Sequence, residues 1–532
     1  MHLATVLELA SHRYPEVWAI VERIRKHTRR FSYGTWNRRV NAVARGLVQA
    51  GVQPGDRVGL CAANGEATAT TYFAVHKAGA VAVFLNTRWK APELAHALDD
   101  SDVRALLYDR TTAAEVEQAL NLSGRSVVRV TAGMKASSRE RNTLRYEDLA
   151  AEPTVQAPNL PRRDTEVGTI LYTSGTTGRP KGVPRSHRND YYAALAMILE
   201  HRWTRFERTL AVMPLYHTMG LHTLISMVIL NGASILLPGF DPAECLGCIA
   251  AERVTALYLV PTAYHDLVEQ ARRSGQPAPQ VGKLATAGAP MPVSLVEKCR
   301  AAFSPKVFVN HYGCTEMHII SVNPNLTRKP ESVGRPALHS RVRVVKADPN
   351  RQVPPTEVLP RGTTGEIIVE AASPQAFSGY LNQPEATEQA LRDGWYFTGD
   401  LGFMDSEGDL HLVGRVDEMI NTGGENVYPA EVEEVLRHHP GVRDVAVVGM
   451  PDERWGEIVT AFVVPASGAP SPETLEQFCI ESPALARYKR PRRYIFVQAI
   501  PRSPAGKVLR SLLKEGRYTL FRDNQEGRLA GR

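Results

Sequence analysis

The sequence predicts a layered α/β protein that ends in a smaller α+β unit. Three observations predict it. Apolar strand-like runs alternate with longer helical patterns through the first four hundred residues, the pattern of largely parallel sheets covered by helices. One of these strands feeds a loop dense in glycine and hydroxyl residues. Beyond Asp417 the elements change scale, and a compact set of short helices and strands follows. At 532 residues the chain exceeds what one ordinary core supports, so two or more domains are expected.

Taken in order, Arg57-Val-Gly-Leu60, Thr169-Ile-Leu-Tyr172, Leu210-Ala-Val-Met213, Ala233-Ser-Ile-Leu-Leu237, Ala256-Leu-Tyr-Leu-Val260 and Lys306-Val-Phe-Val309 read as buried strands. Pro92-Glu-Leu-Ala-His-Ala-Leu-Asp99 reads as a helix between them. After Asp417, Pro429-Ala-Glu-Val-Glu-Glu-Val-Leu-Arg437 is amphipathic. It has proline in its first turn and Val432, Val435 and Leu436 on one side. The strands Asp444–Val448 and Ile458–Val464, the helix Glu473–Cys479 and the strand Tyr494–Val497 complete that unit. The polar stretch from Phe521 onward is expected to fray.

The loop Tyr172-Thr-Ser-Gly-Thr-Thr-Gly-Arg-Pro-Lys-Gly-Val183 carries the first chemical signal. Gly175 and Gly178 allow close backbone approach, and Thr173, Ser174, Thr176 and Thr177 donate hydrogen bonds. Lys181 adds a point charge. Together these suit a phosphate cradle. Gly178-Arg-Pro-Lys181 lacks the glycine–lysine–hydroxyl ending of a Walker A loop.

Hydrophobic content of 43% and charged content of 22% are those of a globular protein. No stretch is long enough to cross a bilayer, and Met1-His-Leu-Ala-Thr-Val6 does not open like a signal peptide, so no membrane partner is expected. Six scattered cysteines suit reduced thiols in the cytoplasm, and Cys245-Leu-Gly-Cys248 is expected to pack rather than bind metal. The net charge of +7 fits polyanionic small molecules; no nucleic-acid motif accompanies it.

Four further segments follow the loop in order: Tyr312-Gly-Cys-Thr-Glu316, Gly394-Trp-Tyr-Phe-Thr-Gly-Asp400, Gly414-Arg-Val-Asp417 and Pro504-Ala-Gly-Lys507. With it they resemble the acyl-adenylate-forming superfamily of acyl-CoA synthetases, peptide-synthetase adenylation domains and luciferases. The resemblance runs from about Leu7 to about Leu513. It implies a large N-terminal AMP-binding domain (1–416), a small mobile α+β C-terminal domain (417–520) hinged at Asp417, and a flexible tail (521–532). It also implies ATP, Mg²⁺ and coenzyme A. By resemblance Lys507 is catalytic and bridges the acid and the α-phosphate, Thr315 touches that phosphate, and Glu316 holds the metal. Tyr312 stacks on adenine beside Ala287, Gly288 and Ala289, and Asp400 and Arg415 bind the ribose hydroxyls.

Gly423 and Gly424 would open the pantetheine tunnel, with Trp455, Tyr488, Arg490 and Arg492 against the coenzyme A nucleotide. His217, in Pro214-Leu-Tyr-His-Thr-Met-Gly-Leu221, would sit near the acid's carboxylate. Longer stretches, including Phe377–Pro384 and Tyr488–Tyr494, look most like bacterial benzoate-type ligases such as 4-chlorobenzoate–CoA ligase. On that template Tyr258, Thr218, Ala289, His311, Gly313 and His318 line the acid pocket. Histidine at 311 and 318 departs from the apolar residues of the chlorobenzoate enzyme, which points to a polar-substituted acid. A medium-chain or alicyclic acid, or loading of a carrier protein, are the alternatives; a homodimer is compatible with either.

Overall fold

The strand-like runs of the sequence come together as two large sheets. The computed structural model describes residues 1–24, 27–134, 143–173, 180–348, 352–422, 425–466, 469–483, 485–502, 508–521 and 527–528. By packing, the chain divides into one unit of Met1–Arg341 with Glu370–Trp395 and another of Val342–Val369 with Tyr396–Arg532.

In the first unit a nine-stranded sheet runs Arg335–Pro336, Ser321–Asn323, Val307–Tyr312, Lys283–Thr286, Ala256–Leu259, Arg208–Ala211, Ala233–Leu236, Trp18–Ile24 and His27–Ser32. Its centre is parallel: Ala256–Leu259 pairs with Lys283–Thr286, and that strand with Val307–Tyr312, residues Tyr258, Ala285 and Val309 sharing one register line. The helices Pro261–Ser274 and Val293–Phe303 make the crossovers. Leu257, Leu259, Ile235 and Leu236 are fully buried, and each such side chain stabilises the core by about 1.5–3 kcal/mol.

The second sheet orders Thr143–Arg145, Val128–Ala132, Val103–Asp109, Arg57–Cys61, Val81–Phe84, Val167–Thr173 and Lys181–Ser186. Val167–Thr173 turns back on itself: Lys181–Ser186 pairs with it antiparallel, setting Thr173 opposite Lys181. The two strands that flank the loop of glycines and hydroxyls are therefore antiparallel partners, and residues 174–179 of that loop lie outside the described residues. Cys245 and Cys248 lie fully buried on the helix Pro242–Ala251, so packing accounts for their spacing.

The second unit holds a sheet of Val342–Val345, Gly365–Glu370, Trp395–Met404 and Leu410–Arg415. A further sheet centres on the long hairpin Val442–Asp452 and Gly456–Pro465, with Arg493–Phe496 parallel to the latter strand. The helices Pro429–Arg437 and Pro472–Glu481 cover it, and Val432, Val435 and Leu436 enter the core as their spacing predicts. The helix Pro429–Arg437 also rests on the strand Leu410–Arg415. Packing thus groups Val342–Val369 and Tyr396–Val416 with the C-terminal elements, whereas the boundary expected at Asp417 concerns motion. The expected tail beyond Phe521 lies almost wholly outside the described residues. Among the described residues no helix is long and apolar enough to cross a membrane.

Candidate active site

In open α/β sheets, ligands bind beyond the carboxyl ends of the parallel strands. Three parallel strands of the nine-stranded sheet deliver the predicted site residues from those ends. His217 and Thr218 follow Arg208–Ala211, Ala287–Ala289 follow Lys283–Thr286, and Tyr312 to His318 follow Val307–Tyr312. Two glycines permit the close approaches. A Cβ on Gly220 would lie 2.3 Å from the carbonyl oxygen of Pro214. One on Gly313 would lie 1.8 Å from that of His318, so Gly313 serves the tight turn that brings His318 back.

Tyr312 is buried at its strand end, and Glu316 is 7% exposed. The Tyr380 hydroxyl donates to Glu316 Oε1 at 2.7 Å, and the Lys181 ammonium lies 5.2 Å from the Tyr380 ring centroid. One carboxylate oxygen is thereby fixed and Oε2 takes no hydrogen bond among the described residues. No group of three or more His, Cys, Asp or Glu among them could hold a metal alone. A single carboxylate beside phosphates is nevertheless what Mg²⁺ uses, since it keeps waters and substrate oxygens as most of its ligands.

Tyr258, His311 and His318, expected in the acid pocket, are all nearly inaccessible. His311 Nε2 donates to the His318 carbonyl oxygen at 2.8 Å, leaving Nδ1 as the acceptor. The Tyr258 hydroxyl approaches that Nδ1 at 2.9 Å and His201 Nε2 at 3.1 Å, two donors for one lone pair. Burial pushes His311 down to about 4, which keeps it neutral near pH 7. His318 Nε2 and His201 Nδ1 are buried without a hydrogen-bond partner among the described residues. His217 sits just before the helix Thr218–Leu230; burial, then Arg88, push it down to about 4.

In the second unit Asp400 and Arg415 face each other across the strands Trp395–Met404 and Leu410–Arg415, joined at 2.7 Å. Arg415 Nε also donates to Asp417 at 3.0 Å, within the single turn Val416–Glu418. Burial alone would lower the Arg415 pKa; Asp400 and Asp417 more than offset it and hold it raised. Trp455 carries the Arg492 guanidinium 4.2 Å from its ring and that of Arg454 at 5.0 Å. Arg490 pairs with Glu476 at 3.0 Å, so a phosphate would compete with that carboxylate, and Tyr488 is 40% exposed. Ser174, Gly175, Thr176, Thr177, Gly178, Gly423, Gly424 and Lys507 lie outside the described residues.

Sequence reasoning missed several residues that the fold draws in: Tyr380 on Glu316, His201 on His311, Gln375 on Ile319, and Arg185, Asp190 and His222 beneath the site. Of these only Tyr380 lay inside a stretch already singled out, Phe377–Pro384.

A family described as AMP-binding enzyme matches residues 7–381, and one described as AMP-binding enzyme C-terminal domain matches 431–507. A feruloyl-CoA synthase of Amycolatopsis sp is 36% identical over 90% of this chain and 92% of its own length. A 4-chlorobenzoate–CoA ligase of Arthrobacter sp is 34% identical over 96% and 95%. A long-chain-fatty-acid–CoA ligase of Mycobacterium tuberculosis is 35% identical over 91% and 93%. The crystal structure of ATP-bound MatB from Rhodopseudomonas palustris superposes with a TM-score of 0.83 at 30% identity, covering 96% of this chain and 98% of that one.

Proposed function

The chain belongs to the AMP-binding enzyme family, and on that premise we propose that it activates an aromatic acid bearing a polar ring substituent. It is an AMP-forming acid–thiol ligase, with a carboxylic acid, ATP and coenzyme A as substrates and Mg²⁺ as metal. A carboxylate is a poor acyl donor because its leaving group would be oxide. Its oxygen attacks the α-phosphorus of ATP, the bond to pyrophosphate breaks, and the acyl-adenylate forms. The coenzyme A sulfur then adds to the acyl carbon, loses its proton, and AMP departs.

The first step brings two anions together, so cationic and donor groups must offset the repulsion. Lys181, Thr173 and the 174–178 loop are suited to the phosphates, Thr315 to the α-phosphate, and Lys507 to the acid and α-phosphate together. Bound Mg²⁺ would neutralise phosphate charge, and Glu316, oriented by Tyr380, would hold it. A neutral His217 can donate a hydrogen bond to the acid's carboxylate. Tyr312 and Ala287–Ala289 suit adenine, and the Asp400–Arg415 pair suits a vicinal diol by accepting and donating hydrogen bonds. Trp455 with Arg492 offers a stacking face and a cation for the coenzyme A nucleotide, which favours free coenzyme A over a carrier protein.

One observation carries the substrate reading. Among the described residues the buried His318 Nε2 and His201 Nδ1 have no hydrogen-bond partner, beside a Tyr258 hydroxyl and a His201 Nε2 that share the single acceptor His311 Nδ1. An unpaired buried polar atom costs about 1–3 kcal/mol. A hydroxyl or similar group on the acid would relieve that cost, and a chlorine would not. A carboxylic-acid panel with coenzyme A tests this. Hydroxybenzoates or related ring acids should exceed 4-chlorobenzoate in kcat/KM by roughly tenfold or more, and His318→Ala should narrow the gap. Best activity on straight-chain fatty acids would contradict the proposal.

A further inference from the structure

A buried ionic group beneath the site has no part in the chemistry above. Arg185 and Asp190 have no exposed surface. Arg185 Nε donates to Asp190 Oδ1 at 2.5 Å, one terminal nitrogen donates to the Thr315 carbonyl at 2.8 Å, and the other donates to the Gln375 carbonyl at 3.4 Å. His222 Nε2 lies 3.1 Å from the same Asp190 oxygen, and its Nδ1 lies 3.0 Å from the Thr218 carbonyl. The His222 ring stacks on His318 with centroids 4.0 Å apart. Gln375 brackets the backbone of Ile319, accepting from its N–H at 3.2 Å and donating to its carbonyl at 2.7 Å.

One charge cluster therefore fastens three segments that are distant in sequence: the Thr218–His222 turn, Thr315 to Ile319, and Gln375. Stability does not explain it. A buried ion pair is often no better than apolar residues of similar volume. Asp190 Oδ2 is itself buried without a hydrogen-bond partner among the described residues, which adds cost. What the cluster does supply is geometry. A guanidinium directs rigid donors along fixed directions, which a lysine cannot reproduce.

We propose that Arg185, Asp190 and His222 are positioning residues that hold Thr315, and with it Glu316, in register with the acid-pocket wall at Thr218 and His318. The proposal rests on the reading of those two segments as the nucleotide and acid sides of one site.

The test compares Arg185→Met, Arg185→Lys and the double variant Arg185→Met/Asp190→Leu with the unaltered chain. Each is measured for thermal midpoint, for ATP–Mg²⁺ and AMP affinity by calorimetry, and for kcat and KM of pyrophosphate exchange with the best acid of the panel. Arg185→Met leaves Asp190 unpaired and should lower both stability and kcat. The double variant removes the orphaned charge and should regain the thermal midpoint. Its kcat should stay at least roughly tenfold low, since small misplacements of reacting groups are costly. Arg185→Lys should fall between.

Recovery of exchange together with the thermal midpoint would show a purely structural role and overturn the proposal. If the unaltered chain exchanges pyrophosphate with no acid, the proposed function fails. The affinity measurements still decide the positioning claim, because unchanged ATP and AMP binding in the double variant contradicts it. If the double variant does not fold, His222→Phe, which keeps a ring against His318 and cuts the link to Asp190, is read the same way. A lower kcat at unchanged thermal midpoint supports the proposal, and an unchanged kcat overturns it.

Discussion

Arg185 and Arg510 are both largely buried, yet they are held in opposite ways. Arg185 meets a single carboxylate and directs its other donors at the carbonyls of Thr315 and Gln375. Arg510 bridges two carboxylates, Glu418 at 2.8 Å and Glu433 at 2.5 Å, and reaches one carbonyl, Val447 at 3.1 Å. Burial alone would lower the Arg510 pKa; Glu433 and Glu418 outweigh it and raise it. The difference separates two uses of a buried guanidinium. In the first unit it fixes the backbone at Thr315 and Gln375. In the second it neutralises acids, tying the helix Arg510–Lys514 to the turn Val416–Glu418 and the helix Pro429–Arg437.

The contrast makes the largest expected effect one of stability. Arg510→Met would leave Glu433, which is 3% exposed, and Glu418 without their common cation. Breaking such a pair costs about 3–5 kcal/mol, so hydrogen exchange should show the C-terminal unit opening far more readily. A loss no greater than that of Arg185→Met would erase the distinction.

Lys507 lies three residues before Arg510, so chemistry and anchoring can be separated within one short segment. Lys507→Ala should slow adenylate formation by roughly 10²-fold or more, the worth of one preorganised charge contact. It should leave the thermal midpoint and much of the thioester step, assayed from synthetic acyl-adenylate. Equal losses in both half-reactions would show that its role is not confined to the first.

Asp417 adjoins Glu418 in the turn that Arg510 anchors. If the small domain resets there between half-reactions, the backbone at 417 must change φ and ψ, and proline would hold φ near −65°. Asp417→Pro is therefore expected to keep pyrophosphate exchange and lose transfer to coenzyme A. Normal overall turnover would move the hinge elsewhere.

The smallest effect per group concerns pH. His217 and His311 are pushed down to about 4 and His187 to about 3, in each case chiefly by burial, and all three lie in the unit that holds Arg185. Below about pH 6.5 the unfolded chain binds protons that the folded chain does not, so stability is complete above that value and falls as pH drops toward 4. At pH 6 the loss is about 1 kcal/mol or less per imidazole. Acid should therefore open the first unit ahead of the second, as hydrogen exchange across pH 7.5 to 5 would report; the reverse order would contradict the comparison.

What the sequence disclosed follows the same division between local and distant. Arg57-Val-Gly-Leu60 and Ala256–Val260 are strands to within one residue of expectation, because a buried strand shows itself as an unbroken apolar run. Tyr312 to Glu316 and Asp400 could be singled out because each belongs to a contiguous motif. Arg185, Asp190, His201 and His222 were not. Arg185 meets Thr315 across 130 positions and His201 meets His311 across 110, and nothing in the local spacing of either arginine or histidine signals such a partner. The domain boundary at Asp417 was expected from the change in element scale and from the family resemblance, whereas packing groups Val342–Val369 with the C-terminal elements. Pairing between distant strands leaves no short-range mark.

Pyrophosphate exchange into ATP, measured for each acid of the panel in the absence of coenzyme A and followed by AMP release when coenzyme A is added, tests the central claim most directly. Exchange without coenzyme A should be strongest with a polar-substituted aromatic acid, and AMP should appear with an equal amount of thioester once coenzyme A is present. Absence of exchange with every acid, or AMP release without thioester, would contradict it.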